Sequence, residues 1–325
     1  MAFSADQLLE KVNTYLATMP YVCEPKGLYA PIEYVLSLGG KRIRPVLMLL
    51  SYQLYKENVD DILPQAAGIE TYHNYTLLHD DLMDCADMRR NKPTVHKVWD
   101  ENTAILSGDA MLVLAYRLMN NCPERYLKQV MDIFSQTALE ICEGQQWDME
   151  FETRNDVTVP EYMEMIRLKT SVLLSAALKI GAVLGGASED DARKLYDFGI
   201  KMGLAFQLQD DYLDVYGDSK VFGKNIGGDI LCNKKTFMLI NALALADGIQ
   251  RKELEKWIAS IAFCPEEKIK AVTALYDKIG IGGICEEKIN AYYVEGLSLL
   301  ESMAVPSERK EELKSFVCHL MNRKV

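Results

Sequence analysis

A chain of 325 residues with 49% hydrophobic content holds enough apolar material for a large buried core, in one domain or two. Its formal net charge of −11 disfavours nucleic acid as the main partner, because phosphate backbones are held by basic surfaces. The segment from Met1 to Leu16 has neither a basic leader nor an uninterrupted apolar run, and no stretch reads as a bilayer span, so stable membrane insertion is not expected. The eight cysteines include no Cys-x-x-Cys pair; they read as small buried residues of a reducing compartment, and a cytoplasmic location is expected.

In chain order the pattern predicts helices at about 5–18, 26–38, 45–56, 61–86, 98–120, 124–149, 160–184, 188–216, 234–247, 249–261, 265–302 (broken near Gly280–Gly283) and 306–322. Apolar positions recur at three- and four-residue steps, as in Leu47, Leu50 and Leu54. Most prolines, among them Pro31, Pro45, Pro64, Pro160, Pro265 and Pro306, precede such stretches, where a missing N–H costs least. Alternating Val/Ile/Thr runs and Asn-Gly turns are lacking, so strands are not expected. Several helices are apolar over most of their circumference, as central helices of a bundle are, and no low-complexity linker divides the chain. The expectation is one all-α domain spanning 1–325.

Two segments repeat the spacing Asp-Asp-x-x-Asp: Asp80, Asp81, Asp84 and Asp210, Asp211, Asp214. On a helix, residues three and four apart share a face, so each trio crowds its carboxylates together. One such trio reads equally well as a solvated acidic face. Two identical trios, each set among Leu, Met and Tyr, point instead to a hard divalent cation that offsets the cost of burying like charges. Magnesium suits best, because it binds through a few carboxylates and keeps waters and substrate phosphates.

Matching cations are present. Gly39-Gly40-Lys41-Arg42-Ile43-Arg44-Pro45 places three cations and two glycines at a helix start, a favourable setting for an anion. Arg89-Arg90 follows the first trio, and Lys169-Thr170, Lys224 and Lys234-Lys235-Thr236 lie further on. Singly each reads as a surface lysine or a basic loop. Together with two metal trios they describe a site for more than one diphosphate.

These residues, from about 35 to 240, resemble the trans-isoprenyl diphosphate synthases, the polyprenyl synthetase family. The resemblance implies an all-α bundle of long helices around a central cavity, with two aspartate-rich helices facing each other. It also implies three Mg²⁺ ions on the diphosphate of the allylic substrate, and a homodimer. By motif, Asp80, Asp81, Asp84 and Asp210 would be metal ligands, while Asp211 and Asp214 would act through metal-bound water or hold basic neighbours. Arg89, Lys169, Lys224 and Lys234 would contact the allylic diphosphate; Lys41, Arg44, His73 and Arg90 would hold isopentenyl diphosphate. Thr170 and Gln207 would place oxygen dipoles near the developing allylic cation. His79 and His96 match common family residues but receive no role.

Asn91 and Asn233 stand where the family usually has glycine; asparagine tolerates left-handed backbone, so both loops are expected to keep their shape. Tyr75, five residues before Asp80 and roughly 7–8 Å along the helix, occupies the family position of an aromatic floor beneath the product. The implied reaction is Mg²⁺-dependent chain elongation to farnesyl or geranylgeranyl diphosphate, with geranylgeranyl favoured. A class I terpene cyclase would leave the isopentenyl-binding set unexplained, and a non-catalytic partner subunit would be expected to have lost acidic ligands. The Arg323-Lys324 tail could fold over the isopentenyl site or fray.

Overall fold

The computed structural model describes residues 3–20, 23–217 and 226–321. In chain order the helices are α1 (Ala5–Thr18), α2 (Lys26–Ser37), α3 (Ile43–Gln53), α4 (Leu63–Met83), α5 (Val95–Val98), α6 (Glu101–Met119), α7 (Glu124–Thr153), α8 (Val159–Ile166), α9 (Val172–Gly185) and α10 (Glu189–Tyr216). They continue as α11 (Gly228–Leu231), α12 (Phe237–Leu245), α13 (Gly248–Ala259), α14 (Pro265–Ile279), α15 (Ile281–Glu301) and α16 (Ser307–Met321). The fold is all-α, as the periodicity leads one to expect.

Local chemistry explains most boundaries. Capping boxes close the starts of α1 (Ser4 with Gln7), α8 (Thr158 with Glu161) and α13 (Asp247 with Gln250). Pro64, Pro160 and Pro265 sit in first turns. Pro31 is the exception, lying inside α2 rather than ahead of a helix. The expected break near Gly280 is a left-handed cap, φ 84°, between α14 and α15.

Three departures from the sequence reading bear on the site. Residues 88–93, between the helices expected at 61–86 and 98–120, form a two-stranded antiparallel hairpin where no strand was expected, β1 (Met88–Arg89) with β2 (Lys92–Pro93). The long helix expected at 160–184 is interrupted by one π-helical turn, Arg167–Ser171. That same run, Val159–Gly185, is long and apolar enough to cross a bilayer, contrary to the sequence reading, but 83% of its most apolar window is buried inside the protein.

Packing divides the chain into two compact units. One comprises Met1–Gln136, Ala176–Tyr196 and Ala304–Leu313; the other comprises Thr137–Ser175, Asp197–Met303 and Lys314–Val325. In the first, Ile32, Val35 and Leu36 of α2 pack with Leu78 of α4 and with Ala104 and Met111 of α6. In the second, Tyr162, Leu204, Leu208, Phe237, Leu275 and Ile281 belong to one buried cluster. Each large apolar side chain buried this way contributes about 1.5–3 kcal/mol.

Candidate active site

In the first unit the basic turn and α4 build a cationic recess. Arg42 takes a left-handed conformation, φ 46°, at the start of α3 and is itself buried. Its guanidinium pairs with Glu70 at 2.7 Å and donates to the Leu36 carbonyl at 2.6 Å, so it fixes the turn rather than facing solvent. Arg44 donates from Nη1 to His73 Nε2 at 3.1 Å, while its buried Nε has no hydrogen-bond partner among the described residues. Burial pulls the Arg44 pKa down to about 10. Burial, reinforced by Arg44 and three further arginines, holds His73 well below its ordinary range, so the imidazole is neutral and accepts from Arg44.

Arg90 donates to the Gly39 carbonyl oxygen, and a methyl group on Gly40 would lie 2.8 Å from its guanidinium. Gly40, with φ +133°, is therefore required twice over, by conformation and by close approach. Arg42, Arg44 and Arg90 all interact with one carboxylate, Glu70, which leaves an excess of positive charge suited to an anion. Lys41 lies exposed beside them.

The first acidic trio ends α4. Asp81 is buried, and Arg89 engages both of its oxygens, with contacts at 2.5, 3.0 and 3.2 Å. Burial raises the Asp81 pKa even though Arg89 opposes the shift. Asp80 lies 3.8 Å from Arg89 and Asp84 is exposed, so these two carboxylates hold the accessible face. The hairpin turn that presents Arg89 has Arg90 and Asn91 at φ 52° and 60°, the signature of a type I′ turn. Asn91 thus replaces glycine with its left-handed backbone kept, as does Asn233 at φ 54°.

In the second unit Lys169 and Thr170 lie on the π-helical turn, a distortion frequent at functional sites. Lys169 pairs with Asp148 at 2.6 Å, and Thr170 donates to Gln207 at 3.4 Å. The second trio is sharply differentiated. Tyr162 donates its hydroxyl to buried Asp211, whose pKa burial pushes up to about 7. Asp214 accepts from the Asp229 backbone N–H at 3.0 Å and so anchors the start of α11. Asp210 is half-buried, and Lys234 lies 4.0 Å from Asp229. A cavity of about 20 Å³, room for about one water, is bordered by Asp211, Asp229, Lys234 and Tyr276.

The expected site residues thus fall into two sets. Lys41, Arg44, His73, Tyr75, Asp80, Asp81, Asp84, Arg89 and Arg90 belong to the first unit; Lys169, Thr170, Gln207, Asp210, Asp211, Asp214 and Lys234 belong to the second. Lys224, Arg323 and Lys324 lie outside the described residues. Glu70, Asp148, Tyr162 and Asp229 escaped the sequence reading. Each is a single acid or phenol on a helix, and its role appears only with its long-range partner.

Among the described residues no three His, Cys, Asp or Glu side chains are gathered into a metal cage. Mg²⁺ does not need one, since it takes one or two carboxylates and completes its shell with water and phosphate oxygens. The hard oxygen donors Asp80, Asp84 and Asp210 fit that requirement.

The polyprenyl synthetase family profile matches residues 25–276, further in both directions than the motifs alone. The chain is 41% identical over 273 residues to a short chain isoprenyl diphosphate synthase of Methanocaldococcus jannaschii, covering 84% of this chain and 83% of that one. It is 46% identical over 224 residues to a geranylgeranyl diphosphate synthase of Methanosarcina mazei, covering 68% and 69%. A crystal structure of a geranylgeranyl pyrophosphate synthase superposes with TM-score 0.94 at 44% identity, covering 99% of this chain and 100% of that one. With its paired acidic trios and its cationic recess, this chain belongs to the polyprenyl synthetase family and is a trans-prenyltransferase.

Proposed function

We propose that the protein condenses isopentenyl diphosphate with an allylic diphosphate in a Mg²⁺-dependent elongation and stops at a short product, geranylgeranyl or farnesyl diphosphate. The observation that carries this reading is the cationic recess of Arg42, Arg44 and Arg90 around Glu70, which stands in addition to the cations beside the acidic trios. A terpene cyclase binds one diphosphate and has no use for a second cationic recess. A partner subunit has no use for two complete trios.

In this reading Asp80, Asp84 and Asp210 would hold Mg²⁺, with three ions expected on the allylic diphosphate; Asp81, a ligand by motif, is buried against Arg89 and would instead keep that arginine in place. Bound Mg²⁺ supplies the positive charge that stabilises the departing diphosphate. Arg89, Lys169, Lys224 and Lys234 steady the same anion as the allylic C–O bond breaks. Lys41, Arg44, Arg90 and neutral His73 orient isopentenyl diphosphate, whose alkene carbon bonds to the allylic carbon. Thr170 and Gln207 turn oxygen dipoles towards the transient cation. The proton lost as the new double bond forms passes to the departed diphosphate. Tyr75, packed against the cluster of α2, α4 and α6, closes the space available to the growing tail.

The two units are proposed to work as one domain, since four of the five boundaries between them fall inside helices (α7, α9, α10 and α16) and only the one at 303/304 falls in a loop. A homodimer is proposed through α6, where Ile105, Leu106 and Val113 are 46%, 60% and 60% exposed. The eight cysteines are free thiols, which suits the reducing cytoplasm, but the burial expected from the sequence holds for Cys285 alone: five are exposed, on helix ends, loops and outer helix faces that the core does not cover. The test is the product spectrum with Mg²⁺, isopentenyl diphosphate and dimethylallyl, geranyl or farnesyl diphosphate in turn. Short prenyl diphosphates, abolished by a chelator, are expected. Diphosphate release that does not require isopentenyl diphosphate would turn the assignment to a cyclase, and no turnover by folded protein would turn it to a partner subunit.

A further inference from the structure

His79 immediately precedes the first acidic trio, yet it points away from that chemistry and into the packing between α4 and α6. The face of α4 carrying Gly68, Tyr72, Tyr75 and His79 follows the three- and four-residue spacing of one helical stripe. Two glycines bring the helices close. A methyl group at Gly68 would press on Leu118 and the Ala115 carbonyl, and one at Gly108 of α6 would overlap the His79 imidazole. These contacts run in opposite chain directions, so α4 and α6 are antiparallel here, with Tyr75 between the two close approaches.

His79 uses the space left by Gly108 to donate from Nε2 to the Ile105 carbonyl of α6 at 3.2 Å. Its ring stands edge-on to Tyr75 at 4.8 Å. On the other side Tyr75 meets Tyr72 at 5.4 Å, and Tyr72 is backed by Phe134 at 5.2 Å. Tyr75 is thus held between two rings, one buried in the core and one anchored to α6. The first support is secured by burial; the second depends on the pairing of His79 with Gly108.

We propose that His79, seated by Gly108, is a positioning residue that sets product length by fixing the Tyr75 ring. This rests on the reading of Tyr75 as the floor. A ring free to rotate would open the floor intermittently and let the tail grow further, whereas a ring clamped from both sides gives a sharp stop. The acidic trio and the cationic recess lie outside the clamp, so its loss acts on when elongation ends rather than on how isopentenyl diphosphate binds.

The experiment compares products of the wild-type protein with those of His79→Ala, Gly108→Ala, Tyr75→Ala and the double variant Tyr75→Ala/His79→Ala, alongside the KM for isopentenyl diphosphate. His79→Ala and Gly108→Ala are each expected to broaden the distribution and add products at least one isoprene unit longer, with that KM unchanged. Tyr75→Ala is expected to lengthen products further, and the double variant to match it, because His79 acts only through Tyr75. Longer products from Tyr75→Ala with a wild-type distribution from His79→Ala would overturn the positioning role and leave the floor standing. Unchanged products from Tyr75→Ala would overturn both. Should Gly108→Ala fail to fold, His79→Ala carries the test alone, since it removes atoms without adding any.

Discussion

At the scale of the residue, the neutral His73 has a consequence for acid stability. Its pKa is lowered on folding by burial and four arginines, so below the ordinary value of 6.5 the unfolded chain binds a proton that the folded protein refuses. Stability is therefore lost as pH falls through 6.5, at up to about 1.4 kcal/mol per pH unit from this group. His73→Gln, measured by chemical denaturation at pH 7.5 and 5.5, is expected to lose less on acidification than the wild type; an equal loss would contradict the assignment. The three carboxylates of the first trio are equally open to separation. Asp81→Asn breaks a largely buried pair with Arg89 and is expected to cost about 1–3 kcal/mol, read as a lowered melting temperature. Asp80→Asn and Asp84→Asn should melt near the wild type but lose about 10²-fold or more in kcat and demand more Mg²⁺. The identical spacing of these three aspartates hid this difference in burial and pairing, because it depends on Arg89, eight residues on in the first strand of the hairpin.

At the scale of the element, the helices were readable wherever capping and periodicity act locally. Ser4, Thr158 and Asp247 mark their starts, and Gly280 marks a break. The hairpin at 88–93 and the π-helical turn at 167–171 were not readable, since the hairpin turns on Arg90-Asn91 rather than an Asn-Gly pair, and the π-helical turn carries no glycine or proline to mark it. Both carry expected site residues, Arg89 and Arg90 in one case and Lys169 and Thr170 in the other. The glycine-rich turn before α3 can be tested separately from the acidic trios. Gly40→Ala places a methyl group 2.8 Å from Arg90 at a backbone angle that alanine resists. It should raise the KM for isopentenyl diphosphate about tenfold, equivalent to about 1.4 kcal/mol, with a much smaller change for the allylic substrate. Equal rises for both substrates would show that the turn serves the whole site.

At the scale of the whole molecule, the exposed stripe Ile105, Leu106 and Val113 on α6 is the feature that a lone protein has least reason to keep. Leu106→Asp with Val113→Asp is expected to convert a dimer into a monomer in analytical ultracentrifugation. If the wild type sediments as a monomer at micromolar concentration, the stripe has another use. The apolar run Val159–Gly185 shows the opposite case: long enough for a bilayer by composition, it is spent almost wholly on the interior.

The sequence by itself determined the helical class, most helix boundaries and the kinds of residue at the site, because periodicity, capping and like-charge spacing act within a few residues. It also carried the family, in motifs that later proved part of a longer match. Only the tertiary structure decided how deeply each motif residue is buried and what it pairs with. Asp81 and Asp211 became buried and paired while Asp80, Asp84 and Asp210 kept more accessible positions, and Arg42 became a strut while Arg44 faced His73. Those outcomes depend on groups brought together from distant parts of the chain, and on burial, which changes the cost of a charge by several kcal/mol without changing the residue that bears it.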